Sequence, residues 1–246
     1  MNPPTTRINY YISGRGGIGK GLCSRALART LFSNLKNDDE IFFVVGAGNA
    51  LFEGYDGQPV IIWDDMRAFD MIEKLGDRGN VFRVLDTHPT KQRQNIKYGS
   101  VNLCTSVNII NSVQNYKDFL DGLAGGYTKS TGEKVLAEDK GQSYRRMPFI
   151  INLHEKDFDL LVNKGFLEDS AEFEEFKEYK NIVGNFQQIR SALPEEQALL
   201  IEAKTLTKPK EEYENIKKKD EMKHQKDVNE NIFEMFENFG NVPSTE

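Results

Sequence analysis

The sequence predicts an α/β fold: a mostly parallel β-sheet with helices on its faces, followed by a C-terminal helical extension. Three observations lead there. Short β-branched and aromatic runs alternate with helically spaced apolar residues over the first 155 positions. A glycine-rich stretch, GRGGIGKG (14–21), lies between the first such run and the first helical segment. Beyond about residue 155 no strand is expected, and the segments carry helical spacing.

Each element can be justified in order. INYYIS (8–13) is β-rich and runs straight into the glycine stretch. Leu22, Ala26, Leu27, Thr30 and Leu31 recur at helical spacing, so a helix follows. IFFVV (41–45) reads as a second buried strand, closed by GAGN. PVIIW (59–63) is a third, ending abruptly in Asp64-Asp65, and AFDMIEKL (68–75) is a short helix. NVFRVL (80–85) and VNLCTS (101–106) are expected strands. The polar, basic DTHPTKQRQNIKYGS (86–100) between them is an extended hairpin or a long loop. NYKDFLDGL (115–123) is helical, 124–144 is a Gly-, Lys-, Ser- and Thr-rich mobile loop, and MPFIINL (147–153) is the last expected strand.

Segments 155–162, 170–186 and 194–204 carry helical periodicity with acidic faces. The expected organisation is therefore a core over 1–155, a helical subdomain over 156–205 and a charged tail over 206–246. That tail is a solvated helix or a disordered segment. Its end regains Ile232, Phe233, Met235, Phe236 and Phe239, which either dock on the domain or bind a partner.

Composition bounds the rest. A chain of 246 residues, 38% hydrophobic in short clusters, can bury a core and is not wholly disordered. No apolar run approaches the ~20 residues of a membrane span. The N-terminus, MNPPTTRINYY, lacks the basic-then-apolar order of a secretion signal. The net charge of −6 excludes a uniformly basic coat but permits a local basic surface. The two cysteines, Cys23 and Cys104, sit in apolar stretches outside any Cys-x-x-Cys pair. They read as reduced core thiols and suit a cytoplasmic protein.

The glycine stretch fits the phosphate-cradling pattern G-x-x-x-x-G-K-[ST] everywhere except its last position, Gly21. Terminal phosphates need many close donors, and backbone N–H groups approach only where side chains are absent. Gly14, Gly16, Gly17 and Gly19 provide that around Ile18, the following helix adds its dipole, and Lys20 supplies a point charge. About 45 residues later, Asp64 and Asp65 stand at a strand's C-terminal end, where open α/β sheets bind ligands. Asp64 is suited to hold Mg2+, through a water, and Asp65 to orient and polarise an attacking water. At Gly21 the metal lacks one protein hydroxyl, which magnesium tolerates because it keeps several waters. The expectation is binding and hydrolysis of ATP with weakened metal affinity.

The order GRGGIGKG, VIIWDD, VNLCTSVN resembles a superfamily 3 helicase, an AAA+-like P-loop NTPase. More narrowly, YDGQPVIIWDDMR, KYGSVNLCTSVN and QSYRRMPFIINL are similar to the helicase half of rolling-circle replication initiators, the Rep proteins of small circular single-stranded DNA viruses and bacterial plasmids. The resemblance covers roughly residues 8–155. It implies an ATP-driven DNA helicase motor that forms an oligomeric ring, expected to be a hexamer, on single-stranded DNA. It places a sensor at the end of VNLCTS, with Asn108 the first candidate and Ser106 the second. The family reads Thr-Ser-Asn there, and in this chain the asparagine is displaced by one. It makes Arg145 and Arg146 candidates for an arginine finger supplied to a neighbouring subunit. It assigns His88, Lys91, Arg93 and Lys97 to a pore hairpin gripping DNA phosphates.

Initiators of this kind also nick DNA with a domain whose closely spaced histidines bind metal. His88, His154 and His224 are far apart in this chain, so the nicking domain is expected elsewhere in a longer protein. The setting would be a bacterial cytoplasm, or a host nucleus if viral. Two competing readings remain. RGGIGKG also resembles the deviant loop of partition and cell-division ATPases, which are dimeric positioning switches, with Arg15 in place of their lysine. Gly21 by itself would also suit a nucleotide-binding regulator without hydrolysis.

Overall fold

The computed structural model describes residues 3–45, 51–89, 93–96, 99–128, 130–131, 134–136, 139–168 and 172–240. The chain begins with β1 (Ile8–Ser13), α1 (Lys20–Leu31), α2 (Asp38–Ile41), β2 (Phe42–Val44) and β3 (Val60–Trp63). Helices α3 (Ala68–Leu75) and α4 (Arg78–Val84) precede a hairpin of β4 (Arg93–Ile96) and β5 (Gly99–Asn102). Then come β6 (Val107–Ser112), α5 (Tyr116–Leu123), a small hairpin of β7 (Gly126–Thr128) and β8 (Lys134–Leu136), and α6 (Gly141–Tyr144). The chain continues through β9 (Phe149–Leu153), β10 (Asp157–Asn163), α7 (Lys164–Leu167) and β11 (Phe176–Val183). It closes with α8 (Phe186–Ala192), α9 (Glu195–Thr205) and α10 (Thr207–Gly240).

Seven strands form one mixed sheet in the order β11-β10-β9-β1-β6-β3-β2. The five strands from β9 to β2 are parallel, while β10 and β11 add antiparallel pairs. Strand β1 is buried at all six positions, as a central strand covered on both faces must be. Its alternation sends Ile8, Tyr10 and Ile12 into one core cluster with Cys23 and Leu27 of α1, and Tyr11 into the other with Trp63, Met71 and Phe119. Tyr10 stacks on Phe149 with centroids 4.6 Å apart, and Tyr11 stacks on Phe119 at 4.3 Å. Phe186, Leu206, Tyr213 and Ile216, from α8 to α10, bury into the first cluster.

The parallel arrangement sorts the molecule into two edges. The C-terminal ends of β1, β3, β6 and β9 share one edge, and their N-terminal ends share the other. At the N-terminal edge Arg7 is fully buried. It donates from Nε to Thr105 O, from Nη1 to Val84 O and from Nη2 to Leu103 O, tying α4 and the base of the β4–β5 hairpin to the start of β1. Burial pushes its guanidinium down to about 10.

Several sequence expectations are corrected. NVFRVL is helical: Asp77 accepts from the Asn80 amide, and Val81 and Val84, three apart, face the core. The strand expected at 101–106 lies later. Only Val101 and Asn102 belong to β5, and Ser106 N and Val107 N both donate to Pro59 O as the chain enters β6. The segment 124–144 contains β7, β8 and α6. Residues 156–205 are not all helical, because β10 and β11 extend the main sheet. The misreading has a physical cause. Phe176, Tyr179 and Ile182 are three apart, like a helical stripe, yet they share a strand whose pairing slips between Phe158 and Leu160. Asn181, with φ 55, supplies the extra residue of that bulge. Of the charged tail, 207–240 is helix α10.

Candidate active site

The glycine stretch joins β1 to α1 at the C-terminal edge. Gly17 (φ 73) and Gly19 (φ 98) occupy left-handed backbone that side chains disfavour. Gly19 starts α1 with no side-chain cap, so the first-turn amides have no acceptor of their own and face outward as anion donors. A Cβ at Gly16 or Gly17 would meet nothing within 4 Å, so the tip of the loop borders open space. Ile18 is buried and pins the loop to the core. Lys20 is also buried, and its Nζ donates to Gly14 O at 3.0 Å and Arg15 O at 3.1 Å. The ammonium is thereby held inside the curve of its own loop. Arg15 pairs instead with Glu155 at 2.7 Å, both side chains exposed.

Asp64 and Asp65 follow β3 at the same edge, both exposed to solvent. A Cβ on Gly21 would lie 3.5 Å from Asp64 Oδ1, so the start of α1 and the first aspartate are neighbours. Between them stands Asn111, near the end of β6, which the sequence reading missed. Its Nδ2 donates to Asp64 Oδ1 at 2.8 Å and to Ser24 Oγ at 3.0 Å, and its Oδ1 accepts from Asp65 N at 3.0 Å. Its backbone carbonyl also accepts from Met66 N. Asp65 has φ 50, and this clamp holds that uncommon conformation.

The sensor candidates are therefore corrected. Asn108 lies in the second position of β6, fully buried. It donates to Asn9 Oδ1 and Val84 O and accepts from the Trp63 indole. Ser106 precedes β6 altogether. Both therefore lie at the N-terminal end of β6, away from the loop. The signal that could have found Asn111 was the pattern VNIINSVQN, in which the apolar pair Ile109-Ile110 is followed by a polar Asn111-Ser112, as at the end of a buried strand.

Arg145 and Arg146 precede β9, so they lie at the N-terminal edge. Arg146 O accepts from Asn9, near the start of β1. Five residues of β1 separate that point from the phosphate loop, about 17 Å. Arg146 is half-buried. It donates to Phe82 O at 2.9 Å and to Gln142 O at 2.5 Å, and it stacks over the Phe82 ring at 4.8 Å. Burial and the neighbouring Arg145 push its guanidinium down. Arg145 is exposed and makes no side-chain hydrogen bond or ion pair among the described residues. Both line a cleft of about 420 Å3 with His88, Lys219, Asp220 and Lys223.

In the polar region before β6, β4 and β5 pair antiparallel, with Arg93 in register with Asn102. Lys91 and Lys97 lie outside the described residues. His88, at the hairpin's base, is engaged within the chain, its Nε2 lying 3.0 Å from Asp220 Oδ1 on α10.

Among the described residues no group of three metal-ligating side chains occurs. The donor set instead suits Mg2+ carried in with nucleotide phosphates: one or two carboxylates, water and phosphate oxygens, beside a cradle of backbone donors. No helix among the described residues is long and apolar enough to cross a membrane.

A glycine loop, a lysine and strand-end aspartates on one edge of a helix-flanked sheet give the α/β arrangement of the P-loop NTPase class. Within that class, residues 10–110 match the model of a family described as RNA helicase. The match spans β1 to β6, includes the loop and both aspartates, and supports a superfamily 3 helicase-type domain that uses nucleotide and engages nucleic acid.

Proposed function

We propose that the chain is the ATP-hydrolysing motor of a rolling-circle replication initiator, assembled as a ring, expected to be hexameric, on single-stranded DNA. One observation carries the reading. Lys20, Asp64 and Asn111 converge at one edge of the sheet, while the arginines sit at the opposite edge.

At the converged edge, the Lys20 ammonium exchanges its two carbonyl acceptors for β- and γ-phosphate oxygens. The loop amides and first-turn amides of α1 hold the remaining oxygens. Asp64 is the metal-side carboxylate, and when bound, Mg2+ neutralises charge on the phosphates. Asp65, fixed by Asn111, accepts a hydrogen bond from the attacking water and polarises it. Arg145 and Arg146 cannot reach this edge in their own subunit. A finger therefore comes from an adjoining copy, and Arg145 is the better candidate because Arg146 is occupied by Phe82 and Gln142. The β4–β5 hairpin, projecting from the same edge as the arginines, supplies the nucleic-acid contact.

The test is ATPase of the full chain with single-stranded DNA, single-stranded RNA or neither, combined with electron micrographs in a non-hydrolysable ATP analogue. DNA-stimulated turnover by rings is expected. Stimulation by RNA alone would overturn the DNA assignment, and absence of turnover in every condition would overturn the motor.

A further inference from the structure

We propose that Ser24 is a positioning residue for the metal-side aspartate, taking over through Asn111 the work of the hydroxyl that Gly21 lacks. The inference rests on the nucleotide-site reading above and deepens it.

In a phosphate loop ending Lys-Ser or Lys-Thr, the hydroxyl after the lysine reaches the magnesium directly. Here that position is glycine, and its missing Cβ would face Asp64 Oδ1 at 3.5 Å. Nothing from the start of α1 therefore fixes the Asp64 carboxylate. One turn further along the same helix, Ser24 is fully buried and turned toward β6. Its Oγ donates to Lys20 O at 3.0 Å, which leaves its lone pairs for a donor. Asn111 Nδ2 is that donor at 3.0 Å, and the same amide nitrogen donates to Asp64 Oδ1 at 2.8 Å. Both amide hydrogens of Asn111 are thus committed, one to each partner. With its oxygen taken by Asp65 N, the side chain has a single satisfied orientation.

The chain Lys20 O–Ser24–Asn111–Asp64 links the lysine that meets the phosphates to the carboxylate that meets the metal. It does so by three hydrogen bonds in place of one hydroxyl. If Ser24 loses its oxygen, one Asn111 hydrogen is left unpaired in a buried site. The amide then has reason to rotate, and Asp64 is no longer held where the phosphates present the metal.

The two routes to Asp64 are alternatives, so they should be redundant when both are present. The experiment titrates Mg2+ against a fluorescent non-hydrolysable ATP analogue at equilibrium, without turnover. It uses the full-length chain as wild type, Ser24→Ala, Gly21→Ser and the double variant, with a melting curve of each. Ser24→Ala should raise the half-saturating Mg2+ concentration about three- to ten-fold, the worth of one buried hydrogen bond. Gly21→Ser should lower it, and in that background Ser24→Ala should shift it less than about two-fold. Ser24→Cys, similar in size and a weaker donor, replaces alanine if the latter does not fold. Equal shifts in both backgrounds, or none in either, would overturn the relay while leaving the nucleotide site standing. Analogue binding that ignores Mg2+ in the wild type would overturn the site reading itself, and the relay with it.

Discussion

Asn111 Nδ2 and Asp64 Oδ1 lie 2.8 Å apart, joining the ends of two adjacent parallel strands, β6 and β3. That contact turns two exposed aspartates into an oriented pair, because the same amide fixes the Asp65 backbone. Replacing Asn111 by alanine removes the clamp. Turnover is expected to fall about 100-fold, the scale on which an active site loses rate when one preorganised polar group is removed. Asn108→Ala is the contrast. It should lower the melting temperature through a loss of about 1–3 kcal/mol in the buried Asn9–Asn108–Trp63 network, while folded protein keeps its turnover. Steady-state kinetics beside calorimetry separates the two asparagines, and equal kinetic damage from both would contradict the assignment.

Lys20 is buried, and its ammonium donates to two carbonyls of its own loop, Gly14 O and Arg15 O. Lys20→Ala should abolish hydrolysis and weaken nucleotide binding by at least about ten-fold, with little change in melting temperature. Retained hydrolysis would show that the loop does not hold the reacting phosphates.

Arg145 and Arg146 should behave differently. Arg146→Ala strips donors from Phe82 O and Gln142 O and should destabilise the fold by about 1–3 kcal/mol. Arg145→Ala should leave stability unchanged yet cost about 1,000-fold in turnover. If the finger acts on a neighbour, mixing the inactive Arg145→Ala and Lys20→Ala proteins should restore activity, since some interfaces then pair an intact arginine with an intact loop. No recovery in well-mixed rings would place the finger elsewhere.

His88 and Asp220 give α10 a pH-dependent anchor. The hydrogen bond that His88 donates to Asp220 raises its imidazole above its ordinary 6.5, against the opposing effect of burial, with Asp86 adding to the rise and Lys223 reducing it. Burial pushes Asp220 up, but the bonds from His88 and Thr6 prevail and hold it below 3.8. A raised histidine stabilises the fold fully below its unfolded value and loses that contribution as pH climbs through the folded one. A depressed carboxylate contributes above its unfolded value and loses that contribution in acid. Hydrogen exchange over residues 207–220 should therefore quicken in the wild type, after correction for the intrinsic rate, as the pH climbs past the ordinary histidine value and through the raised one of His88. His88→Ala should flatten that dependence, and an unchanged profile in the variant would remove His88 as its source.

Much of this molecule was legible in the chain because the relevant physics is local. GRGGIGKG states its own backbone requirement, since a loop that admits phosphate oxygens must lack side chains, and Gly17 and Gly19 adopt the left-handed backbone that follows. PVIIW followed by two aspartates reads as a buried strand with a charged end because hydrophobic residues cannot stop at solvent without a reason. AFDMIEKL was found to the residue.

What failed was periodicity where the partner, not the segment, sets the spacing. In β11 a bulge opposite β10 gives apolar residues a three-residue repeat that imitates a helix. NVFRVL has strand-forming residues, but Asp77 caps it and the core takes one face of a helix.

The chain itself thus determined where the backbone is bare of side chains and which residues carry charge, because glycine spacing and a lysine beside it are covalent facts. Tertiary structure alone decided which asparagine meets Asp64 and which stays buried, and that Arg145 stands at the far edge from Lys20. Those relations depend on strand order and register. A shift of three residues along β6 carries a side chain from one end of the sheet toward the other, and nothing within the segment records which end its neighbours will occupy.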